Sequence, residues 1–264
     1  MYLGRNGAGK TTFMRMVLDM TAPSSGYYVY CSGEKSADYR KKVGALIESP
    51  AIYKSCTAYE NMKRYAILLG IGKGDIIRIL EQVGLGDVKY KKAGEFSLGM
   101  KQRLGIGIAL LGDPELLILD EPINGLDPSG IIEIRNLILK LNKENKTTFL
   151  ISSHLLDELA KIATKYAILD RGRLVEEISA DELTERCKKR MVIHVDNVKK
   201  ASSVLSGIMD RNEMRINEDR IILFSRVHES AQINKLLCDN GVQVSQLEIC
   251  AETLEQYFMG KVEG

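Results

Sequence analysis

The chain has 264 residues, 45% hydrophobic and 27% charged, enough to bury one large core or a core with an appendage. Its 37 basic and 35 acidic residues nearly cancel to +2, which excludes a strong overall field for nucleic acid or an anionic membrane. The five cysteines (Cys31, Cys56, Cys187, Cys238, Cys250) are scattered without a C-x-x-C pair, and no apolar run nears the roughly 18 residues of a membrane span. A reduced, cytosolic setting is expected, with any membrane role exercised through a partner.

The first motif is Gly4-Arg5-Asn6-Gly7-Ala8-Gly9-Lys10-Thr11-Thr12, which fits the phosphate-loop pattern G-x-x-x-x-G-K-[ST]. Its glycines let successive backbone N–H groups wrap phosphates, Lys10 reaches the β and γ groups, and Thr11 offers a hydroxyl to Mg²⁺. Such a loop should follow a strand, yet only Met1-Tyr2-Leu3 precede it. Residues 11–20 read as a helix ended by Pro23 and Gly26, residues 27–31 as a strand, and residues 43–48 as a second strand. Ser49-Pro50 marks a turn into a mostly helical stretch over 57–83. The basic clusters at 40–42, 89–92 and 188–190 are short and read as solvated faces.

Further along lies Phe96-Ser97-Leu98-Gly99-Met100. Ser97 is placed to cap a helix, and its hydroxyl, the helix N-terminus and the N–H of Gly99 can together bind a terminal phosphate. Gly112-Asp113-Pro114 breaks that helix, and residues 116–119 form the continuous apolar run of a strand covered on both faces. It closes on Asp120-Glu121. Ligands of open α/β sheets lie outside the carboxyl ends of strands, so this carboxylate pair is placed for a metal and a reactive water. A turn through Asn124-Gly125-Leu126-Asp127 leads to an amphipathic helix over 130–142, then a strand over 147–152 ending at Ser153-His154. A helix over 155–164 and strands over 166–170 and 174–178 complete an alternating βα region, hence a mostly parallel sheet.

From Ser179 the rhythm changes. A strand over 190–195, a helix over 198–209, a hairpin of 213–217 with 220–225, a helix over 228–240 and a strand over 242–249 give the order β-α-β-β-α-β. That is the split βαβ arrangement, so residues 179–264 are expected to form a small α+β, ferredoxin-like module closed by a helix over 252–259. No chemical constellation appears within it, and packing or dimer contact is its expected job.

The phosphate loop, FSLGM at 96–100, LLILDE at 116–121, the turn at 124–127 and SSH at 152–154 resemble, in the family's order, the nucleotide-binding subunit of ABC transporters over about residues 1–178. The resemblance implies the α/β fold of a P-loop NTPase (ABC ATPase) with a helical subdomain at about 49–95, and ATP and Mg²⁺ as cofactors. Lys10, Glu121 and His154 are then catalytic, with Glu121 polarising the attacking water. Thr11 and Asp120 hold the metal. Gly4, Asn6, Gly7, Ala8, Gly9, Lys10, Thr11 and Thr12 bind nucleotide, joined by Glu48, Ser97, Gly99 and Asp127, with Ser97 addressing ATP held by the opposite subunit of a homodimer. A separate membrane permease is the implied partner, which places the subunit on the inner face of the membrane; nucleic acid is not expected.

Two departures stand out. Glu48 occupies the place of the family's glutamine, and with the wording SLGMKQR it resembles the subgroup linked to bacitracin resistance and lantibiotic self-protection. Family members also carry strands and an adenine-stacking aromatic before the loop, so the chain is expected to be truncated at its start, and to fold and bind nucleotide weakly without them. A non-hydrolysing regulatory member of the same family is therefore the alternative reading. A GTPase would need N-K-x-D, which Asn142-Lys143-Glu144-Asn145 does not supply, and ABC proteins of DNA repair or translation generally carry two cassettes or a long coiled coil.

Overall fold

The computed structural model describes residues 1–29, 42–154, 158, 160–251 and 253–262. Two compact units emerge, Met1–Ser179 and Ala180–Gly264. In the first, strands β1 (Tyr2–Leu3), β2 (Val43–Leu46), β3 (Leu116–Asp120), β4 (Thr148–Ser153), β5 (Lys165–Asp170) and β6 (Arg173–Ser179) form one sheet in the order β2-β3-β4-β1-β5-β6. All neighbours pair in parallel except β5 with β6. The register aligns Leu3 with Ser153 and Asp120 with Ser152. The segments after β1, β3 and β4 therefore leave the sheet side by side on its carboxyl edge.

The apolar run of the sequence explains the centre of this sheet. Leu117, Ile118 and Leu119 of β3 are fully buried, each stabilising the fold by about 1.5–3 kcal/mol relative to exposure. Around them pack helices α1 (Lys10–Val17), α2 (Ala58–Leu69), α3 (Lys73–Gln82), α4 (Leu98–Ala109) and α5 (Pro128–Asn145). Thr57 and Glu60 form a capping box that starts α2, and Gly70 in the left-handed region ends it. Met62, Ile76, Ile79 and Leu80 of α2 and α3 join Leu104 and Ile106 of α4 in one core. The approach of α4 to β2 is close: a Cβ on Gly44 would lie 1.8 Å from the Ala109 carbonyl oxygen.

Some sequence expectations shift. Residues 27–29 are irregular rather than strand, while Tyr30, Cys31, Arg40 and Lys41 lie outside the described residues. So do 155–157 and Leu159 of the expected helix over 155–164. Strand β2 stops at Leu46 because Glu48 turns the chain at φ 61°. Helix α5 begins at Pro128, two residues before its expected start, because Asp127 caps it and proline suits the first helical position.

The second unit opens with a helix at Ala180–Arg186 that the sequence reading did not contain. It continues as β7 (Arg190–Val195), a helix at Val198–Leu205, β8 (Met214–Ile216), β9 (Arg220–Leu223), a helix at Ser230–Asp239, β10 (Val244–Cys250) and a helix at Leu254–Val262. Its sheet runs β10-β7-β9-β8, antiparallel throughout. Met191, Ile193, Ile221 and Leu223 of the inner strands bury against Ala201, Leu205, Ile233 and Leu237 of two helices.

Candidate active site

Strand β1 is only two residues long, but its central place delivers residues 4–12 between β4 and β5. Glycine is required twice at the start of this loop. A Cβ on Gly4 would meet the Leu169 carbonyl oxygen at 2.8 Å, and Gly9 has φ 100°. Gly7, at φ 82°, is exposed with Arg5 and Asn6, while Ala8 is buried against Ala167 and Leu169. The N–H of Gly172, in the β5–β6 turn, donates to the Ala8 carbonyl at 3.0 Å. In a trans peptide this turns the Gly9 N–H to the opposite side, away from the turn. Gly9 caps α1 without any side-chain hydrogen bond, so the N–H groups of the first turn stay available to an anion; Thr12 lies exposed in that turn.

Lys10 is 6% exposed, and its ammonium donates to the carbonyls of Gly4 at 2.6 Å and Arg5 at 3.3 Å. Its charge is matched by Glu121, whose Oε1 lies 3.4 Å away and is itself buried without a hydrogen bond. Thr11 Oγ1 donates to Asp120 Oδ2 at 2.7 Å, and Ser152 Oγ donates to Asp120 Oδ1 at 2.5 Å. The same Ser152 oxygen accepts the backbone N–H of Glu121 at 2.9 Å. Glu121 sits at φ 48°, an uncommon conformation for a residue with a side chain. His154 completes the group. Its backbone N–H lies 3.3 Å from Glu121 Oε2, and its Nδ1 lies 2.7 Å from the same oxygen. An ionised carboxylate only accepts, so Nδ1 carries the proton in that contact.

The structure thus brings Lys10 and Thr11 near the start of the sequence together with Asp120, Glu121 and His154 from its middle. Ser152 joins them, opposite Asp120 in the strand register; it stands in the SSH motif, but nothing in the local sequence signals that pairing or gives it a role. Thr11 and Asp120 form an all-oxygen pair, and among the described residues no three His, Cys, Asp or Glu side chains gather to hold a metal. That donor set suits a hard cation such as Mg²⁺, which takes one or two carboxylates and completes its shell with phosphate oxygens and water.

The other expected residues lie elsewhere on the unit. Ser97 caps α4, accepting the Met100 N–H at 3.2 Å, and Asp127 caps α5, accepting the Gly130 N–H at 3.2 Å and the Ser129 hydroxyl at 2.5 Å. The Ser129 hydroxyl, and next the Gly130 N–H, hold the Asp127 carboxyl below the usual aspartate range. Gly99 faces Leu126, and Gly125 faces Leu98, so the two caps form one exposed patch. Glu48 leaves the end of β2 and pairs with Arg15 of α1 at 2.6 Å, both side chains well exposed.

These arrangements match known proteins. A family model described as ABC transporter matches residues 1–124. The chain is 41% identical over 269 residues to the bacitracin transport ATP-binding protein BcrA of Bacillus licheniformis, spanning 100% of this chain and 88% of the relative. It is 42% identical over 179 residues to the lantibiotic transport ATP-binding protein SrtF of Streptococcus pyogenes, spanning 68% of this chain and 78% of the relative. Among solved structures, cbiO1 from Clostridium perfringens, part of the ABC transporter complex cbiONQ, superposes with a TM-score of 0.63 at 25% identity over 69% of this chain and 78% of that one. A likeness of this level along the whole length settles the kinship: the chain belongs to the ABC transporter family, among its ATP-binding, ATP-hydrolysing subunits.

Proposed function

We propose that the cluster around Lys10 and Glu121 binds MgATP and cleaves its terminal phosphate, and that the energy drives a separate membrane permease which holds the subunit at the inner face of the membrane. The observation that carries this reading is the contact of the phosphate loop with the carboxylate pair, through Thr11 to Asp120 and Lys10 to Glu121. The backbone N–H groups over residues 4–12 cradle the phosphates, and Lys10 neutralises the β and γ oxygens. Thr11 and Asp120 would hold Mg²⁺, which would supply neutralisation of phosphate charge.

Lys10 and His154 both point at Glu121. A terminal phosphate offers these two donors a doubly charged acceptor in place of one carboxylate, so its arrival frees Glu121 to accept a proton from the attacking water. His154 then donates to the γ-phosphate. Glu48 turns towards the same edge and, held by Arg15, contributes little repulsion to the phosphates.

The exposed patch of Ser97, Gly99 and Asp127 serves a second copy of the subunit, whose bound ATP it closes from the opposite side. The second unit, with its split βαβ order, is a ferredoxin-like module that packs or assists that pairing. Glu48 with SLGMKQR, and the relatives named for bacitracin and lantibiotic transport, support antimicrobial peptides as the cargo. Purified Glu121→Gln is expected to bind ATP with near-native affinity and to lose turnover by two to three orders of magnitude, about the loss when one transition-state group is removed. Near-normal turnover would remove Glu121 from this role.

A further inference from the structure

We infer that Ser152 is a positioning residue for hydrolysis, a hydroxyl that ties the Asp120 carboxylate to the backbone of Glu121. It rests on the reading of Glu121 given above. Ser152 is fully buried on β4, directly opposite Asp120 on β3. Its hydroxyl has one proton to give and lone pairs to receive, and both capacities are used: it donates to Asp120 Oδ1 at 2.5 Å and accepts the Glu121 N–H at 2.9 Å.

The second bond has the larger consequence. Glu121 sits at φ 48°, a conformation unfavourable for a residue with a side chain, which persists only where the surroundings hold it. In that turn its N–H leaves the strand ladder and finds its partner in Ser152. The bond fixes where the Glu121 side chain starts and hence where its carboxylate faces Lys10 and His154. The first bond orients Asp120 so that Oδ2 is left for Thr11. A closed circuit results: Lys10 to Glu121, Glu121 to Ser152, Ser152 to Asp120, Asp120 to Thr11, and back along α1. Alanine at 152 opens it at one point and takes the Ser152 partner from both Asp120 Oδ1 and the Glu121 N–H.

The role differs from a structural one in what it moves. A misplaced Glu121 slows the chemical step while the phosphate loop still binds nucleotide, and a displacement of about 1 Å in such a group can lower turnover about a hundredfold. The test uses the whole chain, with kcat, KM for ATP, binding of a fluorescent ATP analogue and Tm measured for each variant. Ser152→Ala is expected to lower kcat between tenfold and a hundredfold with analogue affinity within about threefold. Ser152→Thr, which restores the hydroxyl, is expected to recover most of the loss. Leu137→Ala, a core truncation on α5, serves as the control for lost stability.

Unchanged kcat in Ser152→Ala, a comparable kcat loss in Leu137→Ala, or a loss of analogue binding equal to the loss of kcat would each overturn the inference. Should Ser152→Ala fail to fold, Ser152→Cys keeps the volume with a poor hydrogen-bonding group, and the same outcomes decide. Glu121→Gln run in parallel separates the two readings. If it turns over normally, the role of Glu121 fails; if it is dead while Ser152→Ala is normal, the role of Ser152 alone fails.

Discussion

Two polar clusters of the first unit spend their hydrogen bonds in opposite ways. Around Lys10 and Asp120 the bonds join residues far apart in sequence, Thr11 to Asp120 and Asp120 to Ser152, and most of the groups are buried. Around Ser97 and Asp127 the side chains bond to residues two or three positions on, and the patch is exposed. The first cluster is assembled by the fold and works within one chain. The second is satisfied locally, through bonds to residues two or three positions away. If, as proposed, the chain shares its nucleotide with a second copy, both kinds of construction are needed.

The strongest way to break this contrast is to put a charge into the exposed cluster. Aspartate caps a helix as well as serine does, so Ser97→Asp should leave Tm within a degree or two. If the patch addresses the terminal phosphate of ATP on a second copy, the added negative charge repels it, and turnover at saturating ATP should fall on the order of a hundredfold. Full activity with an intact melt would mean that Ser97 is a cap and nothing more.

A smaller effect sharpens the other side. Gly172 stands outside the phosphate loop, yet its N–H fixes the Ala8 carbonyl. Nothing lies within 4 Å of a Cβ built there, so Gly172→Ala acts through its φ of 78° rather than through a clash. We expect about tenfold weaker ATP binding, the scale of one lost hydrogen bond to a charged group. Gly70→Ala carries a similar backbone penalty at φ 69°, also in open space, and should leave binding unchanged. Equal losses in the two variants would reduce the Gly172 effect to general instability.

The legibility of these regions from sequence follows the same division. The phosphate loop, the apolar β3 closing on two acids, and the alternating strands and helices were readable because each is a local pattern. So was the capping role of Ser97, which depends on nothing beyond Met100. What escaped depends on pairing between distant segments. The role of Ser152 comes from a register with β3 that no local pattern encodes, and the partner of Glu48 is a surface arginine on α1. The helix at Ala180–Arg186 is too short for periodicity to show, with Leu183 alone buried. Residues 27–29 carry strand-forming side chains but are irregular, because side-chain preference alone does not decide a strand.

The smallest effect concerns the acid limb of stability. The Ser129 hydroxyl and the Gly130 N–H favour the charged form of Asp127, so its carboxyl titrates lower in the folded protein than in the unfolded chain. The unfolded chain therefore binds the proton first as pH falls. The contribution of Asp127 is complete above the unfolded value of about 4 and is lost as pH drops through the lower folded value. Asparagine caps a helix as well as aspartate and has no proton to gain. Asp127→Asn should match the parent chain in urea melts near neutral pH and show a shallower loss of stability below about pH 4. An unchanged acid limb would mean that water, not the α5 cap, sets the charge of this side chain, and the exposed patch would then present to a second copy a carboxylate free to turn.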